Sequence, residues 1–201
     1  MQRRNSLTTS LIAVITGAYL IANYFSNIIP GLPLQERLFL IKYALLSDGQ
    51  AHGIQAGERY RYFTVALTHA NLTHILFNML ALFSLGMAVE NYFGRAKYSI
   101  ILIVSLFSAS FLSNHFAQSN VPAVGASGMI FGLFGAILVT GRKMGVDYRQ
   151  TLGIVGVNLL ITFLPGANID WRAHLGGLAG GALITLIISG FNRPKKRLRN
   201  I

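Results

Sequence analysis

The chain has no cysteine, so neither a disulfide nor a thiolate metal site is open to it. Charge is scarce: only 11% of its 201 residues are Asp, Glu, Lys or Arg, against roughly 25% in ordinary soluble domains. That is too little to coat a water-facing surface of this size, whereas 53% of the residues are hydrophobic. Acids are scarcer still, six against seventeen Lys and Arg, for a formal net charge of +11. Nucleic-acid binding would require those cations on one solvated face or stripe. Instead they sit in short clusters between apolar runs, the positive-inside pattern of a multi-pass membrane protein. The lipid bilayer is therefore an expected partner and nucleic acid is not. Internal repeats, low-complexity segments and an H-E-x-x-H motif are also absent.

The length fits a single domain, 1–201. Apolar stretches able to cross the hydrocarbon core can be placed at about 7–29, 68–91, 98–116, 123–141, 150–166 and 172–191. The expected fold class is all-α, a polytopic membrane protein with a six-transmembrane-helix bundle. The first run exceeds the 7–15 residues of a signal h-region and no A-x-A site follows it, so it reads as a retained span. In the first loop, 30–67, Leu34, Leu38, Ile41 and Leu45 recur at helical spacing, with Gln35, Glu36, Arg37 and Lys42 among them. That spacing predicts an amphipathic helix, lying in the membrane interface or packed on the protein's own surface.

A cytoplasmic N-terminus puts Arg3, Arg4, Arg95, Lys97, Arg142, Lys143, Arg149, Arg193, Lys195, Lys196, Arg197 and Arg199 inside, twelve of the seventeen cations. Arg37, Lys42, Arg59, Arg61 and Arg172 remain outside. Both ends of the chain are basic, which asks for an even number of spans and two cytoplasmic termini.

Polar side chains in a membrane core are costly and mark candidate sites. Span two carries His69, Asn71, His74 and Asn78; span four opens with Gly125-Ala126-Ser127-Gly128, and span six with Ala173-His174. All three spans run from outside to inside, so these groups converge near the outer face. Five to eight residues into a helix is roughly 7–12 Å along it. The ordinary role of a lone transmembrane Ser is a bond to its own i−4 carbonyl. Gly128, Gly132 and Ala136, with Gly177 and Gly181, form small-residue surfaces that let helix backbones approach. Packing spans four and six together would bring Ser127 toward His174, as a nucleophile and its base require. Packing explains the glycines and leaves His174 unexplained. His69 and His74 are five residues apart, about 140° around a helix, and so point to different faces. With no Cys and with Glu90 several turns away, no metal is expected. His74 and Asn78, at i and i+4, share a face and are suited to stabilising a developing oxyanion.

Together with Gly57-Glu58-Arg59-Tyr60-Arg61 and Glu90, the series His69-x4-His74-x3-Asn78, Gly125-Ala126-Ser127-Gly128 and Ala173-His174-x-x-Gly177 resembles the rhomboid intramembrane proteases. The likeness is to their compact six-helix bacterial form and covers about residues 60–180. It implies a serine endopeptidase that cuts transmembrane segments of other membrane proteins, with Ser127 as nucleophile and His174 as general base. This is a dyad without a carboxylate, and Asp170 is not a third member. The resemblance further implies an oxyanion hole from His74, Asn78 and the Ser127 backbone N–H. Arg61 and Glu90 would be a structural pair steadying the first loop, and His69, Phe131, Gly125 and Gly128 structural residues near the site. The family often has Tyr at the position of Phe131, packed on the catalytic His; Phe keeps the ring contact and loses any hydroxyl bond. No cofactor and no metal are implied. The partners would be single-span membrane protein substrates, and the place a bacterial cell (inner) membrane, with the site open to the outside. A rhomboid-like pseudoenzyme would be signalled by loss of Ser127 or His174, and both are present. A small transporter or channel would call for charges at mid-membrane, broken helices or inverted repeats.

Overall fold

The computed structural model describes residues 6–25, 33–42, 44–46, 48–116, 121–146, 148–162 and 169–191. The basic clusters at the two chain ends, and the later parts of the first and fifth expected spans, lie outside those residues. The fold is mostly helical: α1 (Leu7–Tyr24), α2 (Leu34–Leu38), α3 (Arg61–Thr64), α4 (Leu72–Phe116), α5 (Ser127–Met144), α6 (Tyr148–Thr162) and α7 (Trp171–Phe191). A short antiparallel hairpin, β1 (Ala44–Leu45) with β2 (Ala51–His52), sits in the first loop. Three helical stretches, Leu7–Tyr24, Leu72–Phe116 and Trp171–Gly190, are long and apolar enough to cross a membrane. Leu76, Phe77, Leu80 and Phe83 of α4, with Leu183 and Leu186 of α7, stay exposed. Such an apolar outer face suits lipid, which asks only that backbone polar groups be satisfied internally.

A straight helix of α4's 45 residues would run about 67 Å. It is broken at Gly94, whose φ of 75° and ψ of 162° fall in a region essentially reserved for glycine. The His74 ring, near the start of α4, lies against Gly125, while Ala109, far along the second arm, lies against Gly128. Both distant parts of α4 thus meet the same short stretch of chain, so the run folds back on itself at Gly94.

The core is a set of close backbone approaches. Gly128 faces Gly177 and Gly132 faces Gly181, so α5 and α7 run parallel. A Cβ on Gly177 would stand 2.8 Å from the Gly128 carbonyl carbon. Gly132 meets Ser105 where Gly128 meets Ala109, so the second arm of α4 is antiparallel to α5. Gly176 and Gly180 meet Ser108 in the same antiparallel sense from α7. Leu82, Val89, Ile101, Leu133 and Ala136 are fully buried between these elements.

The first loop departs from its expected helix. α2 stops at Leu38, and Leu40 instead exchanges two backbone hydrogen bonds with Ala123. Leu40 and Ile41 are buried in extended chain, and Leu45 belongs to β1. An extended partner segment satisfies the backbone here, and Leu40 and Ile41 are buried against the protein without one continuous amphipathic helix.

The expected Arg61–Glu90 pair does not form. Arg61, fully buried, donates from Nε to Glu58 at 2.7 Å and from Nη1 to the carbonyls of Glu36 at 2.7 Å and Phe39 at 2.9 Å. It therefore ties α2 to α3 within the loop. Glu90 caps α1: its carboxylate accepts from the Leu7 N–H at 2.8 Å, the Thr8 N–H at 2.9 Å, Ser6 Oγ at 2.6 Å and Thr8 Oγ1 at 2.8 Å. The orphan amides of a helix start, with their partial positive charge, favour a carboxylate, and Arg61 has its own acid three residues away.

Candidate active site

The segment leading into α5 is pinned by the first loop. Ala123 pairs with Leu40, the Gly125 N–H donates to the Val65 carbonyl at 3.1 Å, and the Ala126 N–H approaches His69 Nε2 at 3.5 Å. Gly125 has φ of 114°, and a Cβ there would stand 2.8 Å from Cε1 of His74. Both the backbone angle and the ring above it require glycine.

Ser127 is the first residue of α5, His74 the third of α4 and His174 the fourth of α7. The expectation of 7–12 Å inside each helix is corrected: these residues sit in first turns, or at the very start. Residues 121–126 are apolar yet not helical, since the first loop supplies their backbone partners. Hydropathy runs through them without marking where the helix begins.

Ser127 Oγ lies 3.1 Å from Nε2 of His174. For Nε2 to accept the hydroxyl proton, Nδ1 must carry the ring hydrogen; Nδ1 is buried with no partner among the described residues. Phe131, one turn beyond Ser127, stacks flat on the imidazole with centroids 4.0 Å apart and planes 9° off parallel. The ring is thereby confined to one plane, and His174 is only 7% exposed. Asp170 makes no hydrogen bond to the imidazole among the described residues. Its Oδ1 accepts from the N–H groups of Arg172 at 3.0 Å and Ala173 at 3.3 Å, and Oδ2 takes the Ser113 hydroxyl hydrogen bond.

The two histidines before Ser127 in sequence are neighbours, contrary to the 140° estimate. His69 precedes α4 rather than belonging to it, and the His69 and His74 rings meet edge-on at 5.1 Å. Fully buried, His69 also packs edge-on to Tyr19 of α1 at 6.3 Å and holds the Ala126 amide. His74 Nδ1 faces the Ala70 N–H at 3.4 Å, which leaves the proton on Nε2, on the Gly125 side. Asn71 caps α4, its Oδ1 accepting from the His74 N–H at 2.8 Å. Buried Asn78 donates one amide hydrogen to the His74 carbonyl at 2.8 Å and retains a second. The N–H groups of Ser127 and Gly128, at the positive start of α5, have no intrahelical acceptors.

Chemically this is a hydroxyl on a base, beside a cluster of N–H donors. Sequence reading missed Ser113, which carries no local signal in an apolar run. It also missed the capping role of Asp170, for which an acid just before an apolar helix is the signal.

Residues 56–191 match the family model described as Rhomboid domain. The chain is 38% identical over 136 residues to Rhomboid protease GluP of Bacillus subtilis (strain 168), covering 64% of this chain and 26% of that protein. It is 34% identical over 137 residues to RHOMBOID-like protein 1 of Arabidopsis thaliana, 65% of this chain and 34% of the relative. RHOMBOID-like protein 4 of the same plant gives 34% over 143 residues, with 67% and 35% covered. The chain thus spans about a quarter to a third of the length of these relatives.

Proposed function

The chain belongs to the rhomboid family, and on that premise we propose that it is an intramembrane serine endopeptidase that cuts transmembrane segments of single-span membrane proteins. The observation that carries this reading is the 3.1 Å approach of Ser127 Oγ to His174 Nε2. His174 takes the hydroxyl proton as Ser127 attacks the scissile carbonyl, then returns it to the leaving amine. Water repeats the two transfers to release the acyl group. The N–H groups of Ser127 and Gly128, His74 Nε2–H and the free Asn78 amide hydrogen are the donors for the tetrahedral oxyanion. Stacking by Phe131 keeps the imidazole aligned without contributing a hydroxyl.

In this reading α1, the two arms of α4, α5, α6 and α7 make six crossings of a bacterial inner membrane. Both termini are cytoplasmic and the site opens to the outside. Arg95 and Lys97 beside the Gly94 turn, and Arg142 and Lys143 at the end of α5, lie at the helix ends remote from Ser127. That arrangement supports the orientation. A substrate helix must unwind to reach Ser127, exposing backbone groups that lipid cannot satisfy. Substrates with Gly or Pro near the outer end of the span, which weaken a helix by about 1 and 3 kcal/mol relative to Ala, are therefore preferred, with a small residue beside the cut.

The test is a fluorophosphonate probe together with a model transmembrane substrate. Wild-type protein is labelled and cleaves, in a chelator as well as without one, whereas Ser127→Ala does neither. Equal labelling of the two proteins would overturn the assignment.

A further inference from the structure

We propose that Asp170, pinned by Ser113, is a positioning residue for the general base His174. The proposal rests on the protease reading above. Asp170 stands just before α7 and its carboxylate is divided between two tasks. Oδ1 accepts the otherwise orphaned N–H groups of Arg172 and Ala173, and Oδ2 accepts from Ser113 in the second arm of α4. The Asp170 backbone carbonyl accepts the N–H of His174 itself at 3.3 Å. One residue therefore closes the first turn of α7, bonds the base's own amide and ties that turn to a neighbouring helix.

The site needs this tie because the tight glycine contacts of α7 begin after His174, and ahead of it only the Ala173 carbonyl touches Gly128, 3.8 Å from where a Cβ would stand. Gly176 meets Ser108 and Leu112, and Gly177 meets Gly128, so the body of α7 is held from those residues onward. Trp171 and Arg172 come before that grip, and Ala173 is at its margin. Helix starts fray unless their amides are satisfied, and the imidazole projects from the turn that would fray. Both carboxylate oxygens are already engaged, and His174 Nδ1 has no partner among the described residues. Asp170 thus acts on the base through the backbone, and not as a third member of a relay.

The experiment compares Asp170→Ala, Asp170→Asn, Ser113→Ala and the Ser113→Ala/Asp170→Ala pair with wild type. It measures kcat and KM on a model transmembrane substrate, the rate of fluorophosphonate labelling of Ser127, and thermal unfolding. Misplacing a catalytic group by about 1 Å can cost about 100-fold. Asp170→Ala is therefore expected to lower both kcat and the labelling rate by about 10- to 100-fold with KM unchanged. Ser113→Ala moves both in the same direction by less, and carries the test if Asp170→Ala does not fold. Asp170→Asn keeps an acceptor for the two amides and an amide to pair with Ser113, so it restores most of kcat. The pair of substitutions is no worse than Asp170→Ala alone, because the two side chains act as one unit. Wild-type kcat in folded Asp170→Ala, failure of Asn to rescue, or independent multiplication of the two losses would each overturn the positioning role. A wild-type protein that is neither labelled nor dependent on Ser127 would instead defeat the protease reading, and the positioning role with it.

Discussion

Replacing Gly177 with Ala tests whether the helix spacing sets the chemistry. The new Cβ would stand 2.8 Å from the Gly128 carbonyl carbon, and closer to its oxygen. Carbon atoms in contact sit at about 3.5–4.0 Å, so relief of the carbon contact alone separates α5 and α7 locally by at least about 0.7 Å, and the nearer oxygen asks for more. Gly177 is three residues after His174, on the same face of α7, and Gly128 adjoins Ser127. The separation therefore passes almost directly into the 3.1 Å Ser127–His174 distance, stretching it beyond hydrogen-bond reach. Turnover should fall by about 100-fold, while overpacking lowers stability by about 1–3 kcal/mol. Gly190→Ala is the control. Nothing lies within 4 Å of a Cβ there, so it should keep the wild-type rate and gain up to about 1 kcal/mol from helix propensity. Single-turnover cleavage and probe labelling read the rate, and thermal unfolding reads the stability. Wild-type turnover in Gly177→Ala, with α7 still packed on α5, would refute the link from backbone spacing to the proposed chemistry of Ser127 and His174.

Glu90→Ala should destabilise the protein by about 3–5 kcal/mol, less than four independent bonds to a charged group would sum to. Glu90→Gln should lose less, since it keeps an acceptor for the α1 amides; an unchanged unfolding temperature in Glu90→Ala would contradict the capping role. In the first loop, His52 lies between Glu58 at 2.9 Å and Asp48 at 3.0 Å, and Glu58 also holds Arg61 and meets the Tyr60 hydroxyl. The hydrogen bonds to Glu58 and then Asp48 raise the His52 pKa above its ordinary value. For Glu58, burial is outweighed by the hydrogen bonds of Arg61, His52 and the Gly53 amide, which lower its pKa to about 2. The Gln50 amide and His52 hold the Asp48 pKa below its usual value. The His52 contribution to hairpin stability is thus complete below about pH 6.5 and is lost as pH rises through its raised pKa. The carboxylate contributions are complete above about pH 4.5 and fade as pH falls. Exchange protection of the described amides in residues 44–52, taken relative to the unfolded-chain rate at each pH, should be greatest between those limits, and His52→Gln should remove the alkaline limb. Exchange protection that is flat from pH 5 to 9 in wild type would exclude the device.

The sequence displayed those parts of the site whose chemistry clashes with lipid. Ser127, His174, His74 and Asn78 stand out because polar groups in apolar runs are costly, and the small residues between them mark the surfaces that close. Where each helix begins was not legible. Residues 121–126 are as apolar as a span, and only the backbone bonds of Ala123 to Leu40 and of Gly125 to Val65 show that the helix has not yet begun. The spacing of Leu34, Leu38, Ile41 and Leu45 fits a helix and a folded-back loop equally well, because periodicity records which residues are apolar and not the backbone that carries them. Partner choice was hidden for a related reason. Arg61 and Glu90 each needed an opposite charge or a set of donors, and spacing cannot choose between an acid three residues away and one across the fold. Ser113 was invisible because its significance lies wholly in what α7 brings to it.

The reversal at Gly94 makes the length of α4 a fixed quantity. Connections between helices ordinarily absorb insertions and deletions at little cost. Here the chain turns on one glycine, and the second arm is in register with α5 at Ser105 and Ala109 and with the cap of α7 at Ser113. One residue inserted on the helical side of the turn would rotate that arm by about 100° and advance it by about 1.5 Å. Ser105 would leave Gly132, and Ser113 would leave Asp170, about 29 Å along the arm from the turn. A deletion would do the same in the opposite sense. The Gly94 turn is thus a point of low indel tolerance at the far end of the molecule from Ser127, and gaps between related chains should avoid it and collect in the connections that carry no register.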